Sequence, residues 1–282
     1  MKKIIFWARQ IGWPPSYTSC DEKTAQEVLE YAYEKWIRCY DTAPIYWLWR
    51  SEILLGKTFQ KQRQDIEIIT KFWFDWDENG KTFFDFTPQA IHTQLKKSLE
   101  RLQTDFIDTY LLHIPPLVLN IEEILTTLNE IKSKGLIKNY GVCNMYFEQL
   151  QDFTHHPLSQ VEYVEDFYNI LEKKAEDILF PYKKPSQKFL AYGPLYRGIM
   201  TGLSIRELLE KDEDAINRLI KNKNLPLLYK KKQLYEMIAK RNGVTIEKIA
   251  LDFLKYNPHV YGIIFGTKNK EHLESFLHHF YS

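Results

Sequence analysis

Residues 106–143, FIDTYLLHIPPLVLNIEEILTTLNEIKSKGLIKNYGVC, read as strand, helix, strand. Phe106–Ile114 is a nearly unbroken apolar run, the mark of a strand covered on both faces. Asn120 caps a helix whose stripe is Ile124, Leu125, Leu128 and Ile131, and Gly135 is its left-handed stop. Asn139–Cys143 is strand-like again. The alternation continues in both directions. Further strand-like runs fall at Lys3–Ala8, Arg38–Thr42, Ile66–Phe72, Gln160–Val164, Lys188–Tyr192 and Val260–Gly266. Between them Ala25, Val28, Leu29 and Ala32 share one helical face, and Thr87-Pro88 opens a helix carrying Ile91, Leu95, Leu99 and Leu102. Eight strands alternating with helices predict an α/β protein built as a single (β/α)8 TIM barrel, one domain over residues 1–282. An open doubly wound sheet usually opens on a glycine-rich turn, and neither GxGxxG nor GxxxxGK[ST] occurs. The stretch from Leu203 to about Asn242 is longer and more charged than one crossover helix needs, and reads as an elaborated helical connection.

Composition narrows the function classes. Of 282 residues 44% are hydrophobic and 27% charged, enough to build a core and too ordinary for wholesale disorder. Thirty-eight basic against thirty-seven acidic side chains leave a formal +1, which gives no electrostatic grip on nucleic acid or a membrane surface. Cys20, Cys39 and Cys143 are scattered, with no CxxC, and read as reduced thiols of a cytoplasmic protein. Arg9 ends the first apolar run too early for a signal peptide, and His113, Pro115 and Pro116 interrupt the most apolar stretch, so no bilayer span is expected. The pairs His155-His156 and His278-His279 would point to different helix faces and read as solvated surface, as does Lys230–Lys232.

A barrel enzyme carries its reactive groups at the carboxyl ends of its strands. Those of the second, third and fourth strands hold Asp41, with Tyr46 just beyond, Lys71 and His113. A phenol with a pKa of about 10 gives up its proton poorly at neutral pH. A nearby ammonium stabilises the phenolate, a carboxylate fixes the ammonium, and a neutral imidazole orients a carbonyl oxygen. Together they can protonate the oxygen of a C=O group while hydride reaches its carbon.

Six blocks in order resemble the aldo-keto reductase family. Asp41-Thr42-Ala43-Pro44-Ile45-Tyr46 with Ser51-Glu52 and Leu55-Gly56 is similar to DTAxxYGxGxSExxLG. Ile69-Thr70-Lys71 resembles the strand of the catalytic lysine, and Ser98–Leu102, Asp105–Asp108 and His113 resemble SLxRLxxDYIDLYxxH. Lys134–Ile137 with Gly141–Asn144, Ala191–Leu195 with Arg197-Gly198, and Gly266-Thr267 with Glu271–Glu274 are similar to KGKIRxxGVSN, AYSPLxRG and PGTxxxEHLEE. The resemblance implies a small-molecule carbonyl substrate, NADP(H) favoured over NAD(H), and no metal. It implies Tyr46 as general acid, Lys71 tuning it, Asp41 holding Lys71 and His113 orienting the carbonyl. It also implies that Cys143, Asn144 and Gln160 contact the nicotinamide carboxamide and that Tyr192 stacks on the ring. Backbone around Gly193, Leu195 and Arg197 would approach the pyrophosphate, and Gly266, Thr267, Lys268 and His272 would face the adenosine phosphate.

The chain departs from that pattern at its tryptophans. Trp7, Trp36, Trp47, Trp49 and Trp73 stand where the family has glycine, and Trp13 is a candidate sixth. The chain has eleven glycines, about 4% where about 7% is usual. Three readings of the tryptophans compete: an apolar substrate pocket rebuilt from aromatic rings, a lost function in which the Trp7 indole blocks the nicotinamide, and UGA codons that the organism reads as glycine. The alternative function is a barrel that binds a nucleotide without turnover as a regulatory module. A Schiff-base enzyme using Lys71 is a further alternative.

Overall fold

The protein is described here by a computed structural model covering residues 2–11, 20–76, 82–115, 120–204, 206–208 and 225–282. Its strands are β1 (Lys3–Trp7), β2 (Cys39–Asp41), β3 (Glu67–Phe72), β4 (Phe74–Trp76), β5 (Thr82–Phe84), β6 (Ile107–Leu112), β7 (Ile137–Cys143), β8 (Tyr163–Phe167), β9 (Lys188–Tyr192) and β10 (Val260–Phe265). All but β4 and β5 close into a parallel barrel in the order β1, β2, β3, β6, β7, β8, β9, β10. The predicted (β/α)8 architecture is the one observed. β4 and β5 make a separate antiparallel hairpin, which the sequence reading had not placed.

The helices begin where local chemistry allows. Asp21 caps α1 (Glu22–Glu34) by accepting from the Thr24 amide. α2 spans Arg50–Phe59. Thr87 caps α3 (Pro88–Leu102), whose first residue is the proline expected there, and Asn120 caps α4 (Ile121–Ser133). α5 (Phe147–His155), α6 (Ala175–Ile178), α7 (Leu225–Asn242), α8 (Ile246–Lys255) and α9 (Lys270–Tyr281) follow. The expected helical connection is a helix from Leu225 onward; residues 209–224 lie outside the described residues, as does Trp13. No helix among the described residues is long and apolar enough to cross a membrane.

One strand differs from expectation in a way that matters. The run placed at Gln160–Val164 is β8, three residues later, with Tyr163 paired to Gly141 and Glu165 to Cys143. Gln160 lies ahead of the strand, where its amide donates to the Tyr140 hydroxyl at 2.8 Å.

At the amino end of the barrel Arg63 ties loop to sheet. Its guanidinium meets Asp108 Oδ2 at 2.8 Å and donates to the carbonyls of Ile66 and Phe106. The same Asp108 oxygen accepts from the Ile68 amide at 2.9 Å. Truncating a buried ion-pair partner strands the opposite charge, at a cost of about 3–5 kcal/mol. Asp108→Ala should lower the free energy of urea unfolding by about that much. A loss under about 1 kcal/mol would show the clamp to be dispensable.

Candidate active site

Side chains two apart on a strand share a face. Ile5, Cys39, Ile69, Leu111, Tyr163, Leu190 and Ile264 fill the barrel interior. Two residues further along each strand stand Trp7, Asp41, Lys71, His113, Glu165, Tyr192 and Gly266. One register step thus takes the barrel from an apolar plug to a layer that holds its ionisable side chains at the carboxyl end. Asp41, Lys71 and His113 are there because their strands alternate. Tyr46 reaches the ring from the turn after β2 and is only 7% exposed.

Lys71 is the centre of the cluster. Its ammonium donates to Asp41 Oδ2 and, at 3.1 Å, to the Thr42 carbonyl, and lies 3.5 Å from Glu165 Oε1. The Tyr46 ring centroid is 5.4 Å from the ammonium, and the Tyr46 and His113 rings meet edge to face at 5.9 Å. Burial works against the ammonium, yet Asp41 and then Glu165 outweigh it and hold Lys71 well above 10.5. Asp41 is itself pushed up, by burial first and Glu165 second. Burial also raises the Tyr46 phenol, and Lys71, pulling the other way, does not cancel that rise. Burial, then Lys71 and Arg9, push His113 well below 6.5, so its imidazole is neutral at pH 7.

Beside this centre stand Cys143, Asn144 and Tyr192; the other expected residues lie in the loops that follow. Asn144 Oδ1 accepts from the Tyr192 hydroxyl at 2.7 Å, and its Nδ2 donates to the His113 carbonyl at 3.1 Å. Cys143 Sγ donates to Glu165 Oε1 at 3.3 Å. Gly193 has φ +70°, and a Cβ there would strike the Phe167 ring. Leu195 and Arg197 sit in the tight turn after it. Gly266, Thr267 and Lys268 form the loop from β10 into α9, and His272 donates its amide to the Asn269 cap at 2.9 Å. Phe276 is buried, its ring stacked on that of Phe265 with centroids 3.9 Å apart. Gln160 is not brought to the cluster. The position beside Cys143 belongs to Glu165, a residue the sequence reading missed because β8 was placed three residues early.

The aldo/keto reductase family model matches residues 3–281. The chain belongs to the aldo/keto reductase family. It is 30% identical to the aldo-keto reductase YhdN of Bacillus subtilis over 261 residues, 90% of this chain and 78% of that protein. It is 25% identical over 280 residues to the NADH-specific methylglyoxal reductase of Escherichia coli, covering 94% of this chain and 85% of that one. An aldo-keto reductase from Bacillus halodurans, in its holo form, superposes with a TM-score of 0.82 at 22% identity, covering 99% of this chain and 87% of that one. The protein is accordingly an oxidoreductase. Among the described residues no group of three or more His, Cys, Asp or Glu side chains could hold a metal.

The nicotinamide end of the site does not fit a cofactor as the chain stands. The Trp7 indole donates to the Tyr46 hydroxyl at 3.0 Å and lies 5.6 Å, centroid to centroid, from Tyr192. It fills the gap between the phenol and the residue expected to stack on the ring.

A neutral buried imidazole has a spectroscopic consequence. The His113 ring resonances should show no titration between pH 5 and 8, whereas a midpoint near 6.5 would place the ring in water. The unfolded chain takes up a proton there and the folded one does not. Stability should therefore fall as pH drops below about 6.5, and His113→Gln should flatten that slope.

Proposed function

We propose that this aldo-keto reductase reduces the carbonyl of a small aldehyde or ketone, with Tyr46 protonating the oxygen. The observation that carries the reading is the buried Asp41–Lys71 pair beneath the Tyr46 ring, with His113 on its flank. With the Trp7 indole out of the site, a nicotinamide dinucleotide would supply hydride. The residues handle the proton. Tyr46 Oη gives up its hydrogen to the carbonyl oxygen, and the Lys71 ammonium stabilises the phenolate left behind. Asp41 fixes the ammonium through Oδ2. The neutral His113 imidazole orients the carbonyl oxygen. Asn144, Tyr192 and Cys143 are assigned to the nicotinamide end, and Gly193, Leu195 and Arg197 to the pyrophosphate. Gly266, Thr267, Lys268 and His272 are assigned to the adenosine phosphate. Lys268 supplies the positive charge behind a preference for NADP(H) over NAD(H), although the E. coli relative is NADH-specific by name. The chain works in the cytoplasm as one barrel domain, in keeping with its unpaired cysteines.

Cofactor oxidation across a panel of aldehydes tests the reading. In the Trp7→Gly background, Tyr46→Phe should lower kcat at least about 100-fold and leave NADPH affinity within about twofold. Turnover retained in that variant would remove Tyr46 from the reaction.

A further inference from the structure

Four helix ends in this chain make the same turn; after α3 its left-handed residue is Gln103, at φ +52°. After α4 the Gly135 amide donates to Lys132 and the Leu136 amide to Ile131; after α7 Gly243 and Val244 repeat the pattern on Lys240 and Ala239. After α1 the Trp36 amide donates to Tyr33 and the Ile37 amide to Ala32, both at 3.0 Å. This is the paired bonding of a Schellman turn, which wants its central residue left-handed. Gly135, Gly243 and Trp36 have φ of +74°, +65° and +65°. A Cβ at either glycine would meet nothing within 4 Å. Glycine is there for its backbone freedom and not for space. Trp36 occupies the same setting, with its side chain 82% exposed. Beyond the Arg38 guanidinium 4.9 Å over its ring, the large side chain gains no packing there.

Two more tryptophans share the conformation. Trp47 and Trp49 have φ of +68° and +69°, with Leu48 between them at +51°. Left-handed residues normally occur singly and as glycine, and for a bulky side chain the conformation is an outlier. Six tryptophans have a described backbone, and three are left-handed. Trp7 departs from expectation through space instead: its ring fills the gap between Tyr46 and Tyr192. Gly266 meets it so closely that a Cβ there would lie 2.6 Å from the Trp7 carbonyl oxygen. Rebuilding of the pocket does not account for Trp36, which lies at the far end of α1 on the surface.

We infer that the polypeptide made in the protein's own cell carries glycine at positions 7, 36, 47 and 49, encoded by UGA. One decoding rule covers the three left-handed tryptophans, the filled site and the shortage of glycine; Leu48, Gln103, Asn144, Tyr196 and Arg197 are left-handed without it. Trp73 has no left-handed backbone and packs on Phe84 at 4.8 Å, so geometry alone does not assign glycine there. The inference at position 7 rests on the proposed cofactor site; those at 36, 47 and 49 rest on backbone alone. With glycine at 7, the indole leaves the Tyr46 hydroxyl, and the phenol opens toward a substrate.

The codons decide. UGA at 7, 36, 47 and 49 supports the inference, and UGG at those positions overturns it. Two measurements on purified protein check the physical basis. Trp36→Gly should raise Tm by about 2–4 °C, by relief of strain at a position without packing; an unchanged or lower Tm contradicts it. Trp7→Gly should tighten NADPH binding, followed by cofactor fluorescence, at least about 100-fold over the tryptophan form. Equal affinity in the two forms overturns the assignment at position 7. If Trp7→Gly binds NADPH tightly yet reduces no carbonyl, the role of Tyr46 fails while the glycine assignment stands.

Discussion

An ammonium ion buried without water must be surrounded by negative charge, and Lys71 is. The Asp41 carboxylate, the Thr42 carbonyl and the Glu165 carboxylate meet it at the carboxyl end of the barrel. Each comes from a different stretch of chain, so the charge is compensated only when the barrel closes. Neither partner is cheap to bury alone, and losing one leaves the rest uncompensated. The reactive end of the barrel is thus tied to its topology. Two carboxylates around one ammonium also exceed simple neutrality, and burial with Glu165 raises Asp41 accordingly.

The phenol depends on that ammonium and on what covers it. Desolvation raises the Tyr46 pKa and Lys71 lowers it, and desolvation wins. A phenol bonded to an indole N–H is poorly placed to meet a carbonyl. Removing the indole changes both sides of that balance, since the phenol gains solvent or substrate while the ammonium remains. The proton chemistry and the identity of residue 7 are therefore one question viewed from two sides.

Much of this was legible in the sequence, because hydrophobic periodicity and caps report local physics. All eight barrel strands were placed, and Thr87-Pro88, Asn120 and Gly135 mark helix ends where the structure has them. The failures have physical causes. Strand register has a period of two residues, so placing β8 three residues early put Gln160 forward and hid Glu165, an acid in an apolar run. Tyr163 two residues before Glu165, matching Ile69 before Lys71 and Cys39 before Asp41, was the available signal. The β4–β5 hairpin is too short to stand out from its aromatic surroundings. The tryptophan substitutions were visible as letters, but only dihedral angles separate strained positions such as Trp36 from an unstrained one such as Trp73.

The ionisation of Lys71 tests the central claim most directly. Carbon-13 NMR of its ε-methylene follows the charge without needing cofactor or turnover. Held by Asp41 and Glu165, the resonance should stay at its ammonium position past the ordinary midpoint of 10.5. Asp41→Asn should bring its titration down. A midpoint at or below 10.5 in the unaltered protein would mean that the amine is not enclosed by those carboxylates, and the proton-delivery site built on it would not exist.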